Sequence, residues 1–482
     1  MPPEPCFPDS VLLDPIAHIG RSLRNATTAV TLTSALSPIE VSFDVADPPG
    51  LTRCFVTCPE LTSPYDAKFG PPRVIAADGA FLLLILGFPR SDARENTLND
   101  YFIYRAGPGP PSLLLLRLPS PAPDLYNNRA GVLSCGGRHC LVVLPERRLD
   151  DSGYRVVGFD LRVFSTETCS WTTRAARVAP HLQQGYNSPL LRHEPTKVFS
   201  VGGSSLAWVD LSLGVLLCDV LGSKDGDDGL EMRLIDLPPM MPSNIDPRWR
   251  SLPPAVRDVI ICREGWIRCV EIELPWTTEP SGRTNPTEFP WTATVSTKKR
   301  MFSSDEWETF TVDSDSLLPA DSCFADLFPE IWDEGKGKLT LNKVLSVKPV
   351  LDAHQENVVY IKSKLMMKPC KPTGRWDIPK LCEPNGWAIA IDTRDKRLVR
   401  VAPFPARKLY FDHYYLQCDF SKYISKAPAY KELGNLLSGD ILNGPSAWDE
   451  TVRHKTDIAV GALDSPAHST ISSAACRPGG GR

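Results

Sequence analysis

The chain has 482 residues, of which 42% are hydrophobic and 23% charged, so it can bury a core without a disulfide or a structural metal. Its formal net charge is only -4, and its lysines and arginines are scattered, which argues against a nucleic-acid-binding surface. The 46 prolines predict that helices longer than a few turns are scarce.

Three features of the sequence predict a soluble protein of the cytosol or nucleus. Residues Met1 to Ser10 have neither the basic flank nor the apolar stretch of a secretory signal. The most apolar run, Phe81 to Phe88, is shorter than the roughly 20 residues that span a membrane as a helix, so we interpret it as a buried strand. The 14 cysteines have no regular spacing, which is typical of reduced thiols.

Strand-like segments bounded by glycine, proline or aspartate turns recur from about Arg73 to Val401. They form five clusters. In chain order the clusters hold Gly79 to Phe88, Tyr101 to Tyr104 and Leu113 to Leu118; Gly131 to Pro145, Tyr154 to Phe164 and Trp171 to Val178; Lys197 to Val201, Ser204 to Asp210, Val215 to Leu221 and Glu231 to Leu237; Val256 to Arg263, Trp266 to Leu274, Trp291 to Lys298 and Trp307 to Val312; and Lys343 to Val350, Val358 to Lys364, Trp387 to Asp392 and Leu398 to Ala402.

Clusters of very roughly 40 to 60 residues with three or four strands have the rhythm of β-propeller blades. We therefore predict a mainly β fold, a β-propeller-like array of roughly 5 to 7 antiparallel three- or four-stranded sheets. Residues 1–430 are expected to form this single large domain, and residues 431–482 a short helix and a disordered tail. Short helices are expected at Ile16 to Leu23, Asp321 to Trp332 and Tyr430 to Leu442, where the apolar spacing comes closest to 3.6.

Two groups of residues resemble metal ligands without matching a metal site. Cys54 with Cys58, and Cys135 with Cys140 beside His139, lack the usual two-residue gap of paired zinc ligands, so we interpret them as buried or turn cysteines. The acidic loop Asp225, Asp227 and Asp228 lacks the glycine and glutamate positions of a calcium loop, so we predict a solvated hairpin.

Motifs for a nucleophile or a nucleotide are also incomplete. Gly202-Gly203-Ser204-Ser205 is not a nucleophile elbow, and Gly335-Lys336-Gly337-Lys338 lacks the order that cradles phosphates. The eight histidines show no helical ligand spacing. We therefore predict no catalytic, cofactor-binding or metal-binding residue and no cofactor.

The aromatic and basic residues suggest two further kinds of site, a ligand groove and a nuclear import signal, and we favour neither. Trp208, Trp266, Trp291 and Trp387 lie in strand-like segments, where packing between sheets is favoured over an aromatic groove for a sugar or peptide. The basic run Lys298-Lys299-Arg300 is too short to act as a nuclear import signal.

The segment from Tyr154 to Trp171, the block Trp208-Val209-Asp210-Leu211 through Leu221, and Leu237-Pro238-Pro239 resemble a plant family expanded in grasses, the domain of unknown function 1618. The resemblance covers most of residues 12–415. It implies a propeller-like fold, similar to the repeat domains that follow F-boxes in plant ubiquitin-ligase adaptors, and no established activity. Pro2 to Ala46 lacks the leucine-proline opening and helical periodicity of an F-box.

The leading hypothesis is a non-enzymatic scaffold whose loops, on one propeller face, bind an unidentified protein or peptide partner. The proline-rich stretches Pro119 to Pro123 and Pro275 to Pro290 are the first loops to consider. One alternative is a propeller-type enzyme with a central carboxylate or metal site. Its candidate acids are Asp78, Asp160, Asp210 and Asp392. Asp210 is followed closely by a turn, so we interpret it as a turn-capping aspartate.

A second alternative is a nucleic-acid or chromatin-associated factor. It would need the basic runs Arg394 to Arg400 and Lys362 to Lys371 to meet in space.

Overall fold

The computed structural model describes residues 7–20, 23–61, 71–88, 98–118, 129–183, 188–222, 229–245, 253–262, 264–273, 290–303, 306–319, 332–333, 335, 338–339, 341, 344–365, 385–405 and 415–424. These residues are mainly β, as predicted, and they all lie within one compact unit, Met1–Ala429. The predicted tail at residues 431–482 and both proline-rich loops up to residue 289 lie outside the described residues. No helix among the described residues is long and apolar enough to cross a membrane.

The first sheet, sheet 1, is built by the N-terminal part of the chain, where the sequence indicated no strand cluster. Its strands are β1 (Val11–Leu13), β2 (His18–Ile19), β3 (Ala29–Leu32), β4 (Pro38–Asp44) and β5 (Leu51–Thr57). The helix predicted at Ile16 to Leu23 is wrong for the residues described there. His18 and Ile19 pair with β5, and Ile16 bridges to Arg73, so tertiary hydrogen bonds override a weak helical spacing.

Sheets 2 and 3 are antiparallel meanders that contain the first two predicted clusters, with one further strand, the first of sheet 2, before the first cluster. Sheet 2 contains β6 (Arg73–Asp78), β7 (Phe81–Phe88), β8 (Leu98–Arg105) and β9 (Ser112–Leu116), and sheet 3 contains β10 (Gly131–Cys135), β11 (His139–Leu149), β12 (Val156–Ser165) and β13 (Ser170–Val178). Gly136 and Gly137 form the turn between β10 and β11, and both have positive φ angles.

Sheet 4 matches the third predicted cluster and is joined to sheet 3. It contains β14 (Lys197–Val201), β15 (Ser205–Asp210), β16 (Gly214–Asp219) and β17 (Leu230–Asp236). The outer strands β13 and β17 pair in parallel, so the two meanders form one continuous eight-stranded sheet rather than two separate ones.

Sheets 5 and 6 follow. Sheet 5 contains β18 (Arg257–Ile261), β19 (Ile267–Glu273), β20 (Thr292–Lys298) and β21 (Glu308–Asp313). After β22 (Leu318–Pro319) and the small pair β23 (Trp332–Asp333) and β24 (Lys338–Leu339), sheet 6 contains β25 (Val344–Leu351), β26 (Val358–Leu365), β27 (Asn385–Asp392) and β28 (Arg397–Pro405), with β22 along β28.

The described helices are all single turns. They are α1 (Pro189–Arg192), α2 (Pro253–Val256) and the 3-10 helices Pro180–Leu182, Pro242–Asn244, Ser314–Ser316 and Phe420–Tyr423. The helix predicted at Asp321 to Trp332 falls outside the described residues except at Trp332, which begins a strand and not a helix turn. The helix predicted at Tyr430 to Leu442 also lies outside them.

The last described strand, β29 (Leu416–Cys418), returns to the start of the chain. It pairs antiparallel with β1, whose other edge pairs in parallel with β5. β1 has only three residues, and the strands that hydrogen-bond to it lie about 40 and 400 residues away in the sequence. Sheet 1 is therefore completed by both ends of the described chain.

Six apolar clusters show which sheets are neighbours. Consecutive sheets share the pairs Phe43 and Phe102 (sheets 1 and 2), Phe81 and Val132 (2 and 3), Phe159 and Trp208 (3 and 4), Val215 and Ile267 (4 and 5), and Val270 and Ile389 (5 and 6). The sixth cluster brings Leu12 of sheet 1 together with Val350 and Tyr360 of sheet 6. The sheets therefore follow one another in cyclic order.

Candidate functional site

Asp78, at the end of β6, connects the first strands of three sheets. Its Oδ2 accepts a hydrogen bond of 2.6 Å from the backbone N–H of Ser134 in β10, and its Oδ1 accepts one from the hydroxyl of Ser200 in β14. Gly79 has φ +53°, and a Cβ there would lie 2.8 Å from Ser134 Oγ, so this close approach requires glycine. The carboxylate holds sheets 2, 3 and 4 together.

The other three acids considered for a central enzyme site are used locally. Asp160 forms an ion pair of 3.1 Å with Arg148 on the neighbouring strand. Asp210 caps the turn after β15 by accepting the N–H groups of residues 212 and 213, as predicted for a turn aspartate. Asp392 caps the turn between β27 and β28 in the same way. These contacts account for all three carboxylates as structural groups.

A second charged connection joins sheets 4, 5 and 6. Lys197, which begins β14, forms an ion pair with Asp258 of β18, and both side chains are largely buried. The other carboxylate oxygen of Asp258 accepts a 2.9 Å hydrogen bond from the backbone N–H of Leu351 in β25. Because a buried carboxylate needs a cation and hydrogen bonds, Asp258 fixes the spacing of the three first strands.

Next to Asp258, Arg257 forms a deeply buried ion pair. Its guanidinium lies 3.1 Å from Glu271, and the two side chains are 1% and 6% exposed. Arg257 also donates to the carbonyl oxygens of Leu211 and Pro238. Glu271 accepts hydrogen bonds from the Met241 N–H and from Asn244 Nδ2. The pair therefore anchors the segment that links sheets 4 and 5.

Three buried polar side chains meet where sheet 1 faces sheet 6. Asp14 follows β1 and accepts the N–H of Ile16 at 3.1 Å. The ammonium of Lys362, on β26, lies 3.9 Å from the centre of the Tyr415 ring, a cation–π contact. Lys362 is fully buried, so it cannot contribute to the surface patch considered for a nucleic-acid-binding factor. Residues 366–371 of that basic run lie outside the described part of the chain.

Asp14 gives a pH dependence of stability whose sign is opposite to that of an acid with a lowered pKa, such as one in an ion pair. Burial raises its pKa to about 6 from 3.8, partly offset by attraction to Lys362. Between these values the folded protein binds more protons than the unfolded chain, so this contribution to stability is present below about pH 4 and lost as pH rises to about 6. We expect Asp14→Asn to remove this component from urea unfolding measured over that range. An unchanged slope in the variant would contradict the assignment.

Two histidines and one cysteine have packing or hydrogen-bonding partners within the fold. His193 is buried against the Gly214 carbonyl oxygen at 3.1 Å, and burial lowers its pKa. His354 lies 3.0 Å from Asp419, and that hydrogen bond raises its pKa. Cys54 lies in the core. Among the described residues no group of three or more histidines, cysteines or acids could hold a metal ion.

Aromatic and cationic side chains meet at one end of sheet 5, where its strands are joined by turns. We name this group the hairpin surface: Arg233, Trp266, Lys298, Lys299, Phe302 and Trp307. In an antiparallel meander every second turn lies at the same end of the sheet, so the β18–β19 and β20–β21 turns are neighbours. Three cations lie over aromatic rings, at 4.9 Å for Arg233 and Phe302, 6.0 Å for Lys298 and Trp307, and 6.0 Å for Lys299 and Trp266.

The hairpin surface departs from the prediction that the tryptophans are packing residues. Trp208, Trp291 and Trp387 are buried in the core, as predicted. Trp266 precedes its strand and is half-buried, and Phe302 is 50% exposed at the tip of its hairpin. The sequence signal was present in Lys298-Lys299-Arg300 and the nearby aromatics, but their meeting depends on two neighbouring hairpins.

Two of the solved structures that match this chain do so at very low similarity. A mutant levansucrase of B. megaterium is 8% identical, covers 82% of this chain and 92% of its own, and has a TM-score of 0.26. Fructan 1-exohydrolase IIa from Cichorium intybus is 9% identical, covering 70% and 58%, with a TM-score of 0.23. These scores carry no conclusion about fold or activity.

No curated protein matches the chain. One family model does match, over residues 208–360, and its description is "Protein of unknown function (DUF1618)". The matched stretch begins at Trp208, the first residue of the block that carries the sequence resemblance. Residues 208–360 of this chain are therefore similar to that family of unknown function.

Proposed function

We propose that the protein is a non-enzymatic interaction scaffold that binds a protein or peptide partner through loops on one face. Sheets 1 to 6 would be the blades of a six-bladed β-propeller in a single domain of residues 1–430. The cyclic order of the apolar clusters and the pairing of β29 with β1 support this arrangement. The proposal places the protein in a plant cell, as the family resemblance implies, and there in the cytosol or nucleus, as the irregular spacing of its cysteines predicts.

The observation that supports the binding role is the hairpin surface. An aromatic ring that is half exposed at the tip of a hairpin loses contact with water only when something covers it. Aromatic residues and arginine are also enriched among residues that dominate protein interfaces. Phe302, with Arg233 against its ring and two half-buried tryptophans nearby, has this composition. The antiparallel pairing of β18 with β19 and of β20 with β21 would hold both hairpins in place, which lowers the entropy lost on binding.

Replacing Phe302 is expected to remove partners without unfolding the protein. The full-length chain carrying a proximity-labelling enzyme should mark a reproducible set of neighbours, and Phe302→Ser should lose a defined subset, because the apolar anchor is gone. Tyr154→Ser is the matched control, since Tyr154 is also 50% exposed and lies in the turn between β11 and β12. Equal neighbour sets in the two variants would contradict binding at the hairpin surface. No labelled neighbours above background in the wild type would contradict the role as an interaction scaffold.

A further inference from the structure

The outer strands of the sheets differ in what covers their free edges. In sheets 3 and 4 the outer strands β13 and β17 pair with each other, and in sheet 6 the outer strand β28 pairs with β22. The outer strands of sheets 1 and 2, β3 and β9, pack together. Within the described part of the chain, β21 of sheet 5 pairs with β20 and has no strand along its other edge.

The register identifies which backbone groups of β21 point away from the sheet. The N–H of Ser314, just after β21, donates to the Trp291 carbonyl oxygen at 2.9 Å, so this residue faces β20. Because hydrogen bonds in an antiparallel pair alternate, the N–H groups two, four and six residues earlier face β20 as well. The backbone groups of Thr309, Thr311 and Asp313 therefore point outward. Their spacing is that of a template for one more strand.

The side chains of β21 suit a strand-forming partner. All residues of Glu308–Asp313 except Val312 are exposed, and Phe310 is 39% exposed. Threonine and phenylalanine favour strands, so the segment Thr309-Phe310-Thr311 is already extended and ready to pair. An incoming peptide would gain backbone hydrogen bonds at Thr309 and Thr311 and an apolar contact at Phe310.

The charge along the outer edge of β21 favours some pairing strands over others. Four carboxylates lie on or beside β21, those of Glu306, Glu308, Asp313 and Asp315. Lys299 of the hairpin surface lies 3.1 Å from Glu308, and both side chains are more than half exposed, so solvent screens the pair. A second copy of the chain would bring acidic ends together. A peptide with basic residues at its ends would complement them.

We propose that β21 binds an extended peptide with lysine or arginine near both ends, which pairs along its free edge as a fifth strand of sheet 5. This inference rests on the interaction role proposed above and gives the class of partner. The neighbouring hairpin surface would contact the part of the partner that continues beyond the strand.

The test uses the full-length protein and a fluorescein-labelled peptide of about ten residues, with threonine and valine alternating between terminal lysines. We expect saturable binding by fluorescence anisotropy, and binding at least about tenfold weaker for the same peptide with terminal glutamates. Thr311→Pro removes one outward N–H and no bond to β20, so it should weaken binding of the lysine peptide at least about tenfold. Thr311→Val keeps the N–H and the branched side chain, and should bind as the wild type does.

Hydrogen exchange of the wild type provides a readout that needs no variant. The amides of Thr309, Thr311 and Asp313 should exchange fast in the free protein and become protected by the peptide. Protection already present in the free monomer would mean that the chain covers β21 itself. Concentration-dependent dimers abolished by Thr311→Pro would mean that the occupant is a second copy. Either result, or equal binding to Thr311→Pro and Thr311→Val, would overturn the inference.

The interaction role can be separated from this inference by labelling neighbours with the same variants. If Thr311→Pro keeps all neighbours while Phe302→Ser loses some, the scaffold stands and strand addition fails. If neither the wild type nor any variant has neighbours, the interaction role fails even where the lysine peptide binds.

Discussion

Replacing Arg257 by alanine is expected to lower the free energy of unfolding by about 3–5 kcal/mol. The substitution would leave the carboxylate of Glu271 buried at 6% exposure, with hydrogen bonds to Met241 and Asn244 but without its cation. An unpaired buried charge is among the most costly defects a core can contain. Urea unfolding followed by tryptophan fluorescence measures the loss.

A double substitution separates the cost of the orphaned charge from the value of the pair. Arg257→Met combined with Glu271→Gln removes both charges, and the amide oxygen of glutamine can still accept the hydrogen bonds from Met241 and Asn244. We therefore expect the double variant to be more stable than Arg257→Ala. A loss below about 1 kcal/mol for Arg257→Ala would contradict the burial of this pair, because that is the range of exposed ion pairs.

Phe420→Ala is the second substitution with a large expected effect, a loss of about 3–5 kcal/mol. Phe420 follows β29, is fully buried, and packs with ring-centre distances of 4.8 Å to Phe43 and 6.3 Å to Tyr104. It therefore joins the returning end of the described chain to sheets 1 and 2. Removing the ring leaves a cavity in that core and weakens the docking of β29 on β1.

Lys422→Ala is the matched control for Phe420→Ala, since it changes the same short helix at a side chain that is 32% exposed. Its ion pair with Asp419, at 2.8 Å, is expected to contribute less than about 1 kcal/mol. Similar small losses for both variants would show that this segment is not part of the folded core.

Most strands of sheets 2 to 6 could be predicted because their signals are local, although β6 and β22 belong to none of the predicted clusters. Alternating or continuous apolar residues end at glycine, proline or aspartate turns, and the bounds agree within a few residues, as in Lys197–Val201. Sheet 1 could not be predicted in the same way. β1 is three residues long, and its burial comes from β5 and β29, which no pattern near Val11 indicates.

The chemistry of single residues was partly visible in the sequence. Asp210 was expected to cap a turn, and it does. Lys362 was grouped with a basic run because charge is read along the sequence, whereas its burial depends on Tyr415, more than 50 residues later. That no described strand lies along the outer edge of β21 could not be predicted, since a strand becomes an edge only through the positions of the other strands.

The central claim, that a partner contacts sheet 5 at its hairpin surface, is tested most directly by photo-crosslinking. p-Benzoylphenylalanine would replace Phe302 in one sample of the full-length protein and Tyr154 in another, and both would be irradiated in the cells that express it. We predict covalent adducts with a defined protein at position 302 and none at position 154. Adducts of equal yield at both positions, or none at position 302, would contradict the claim.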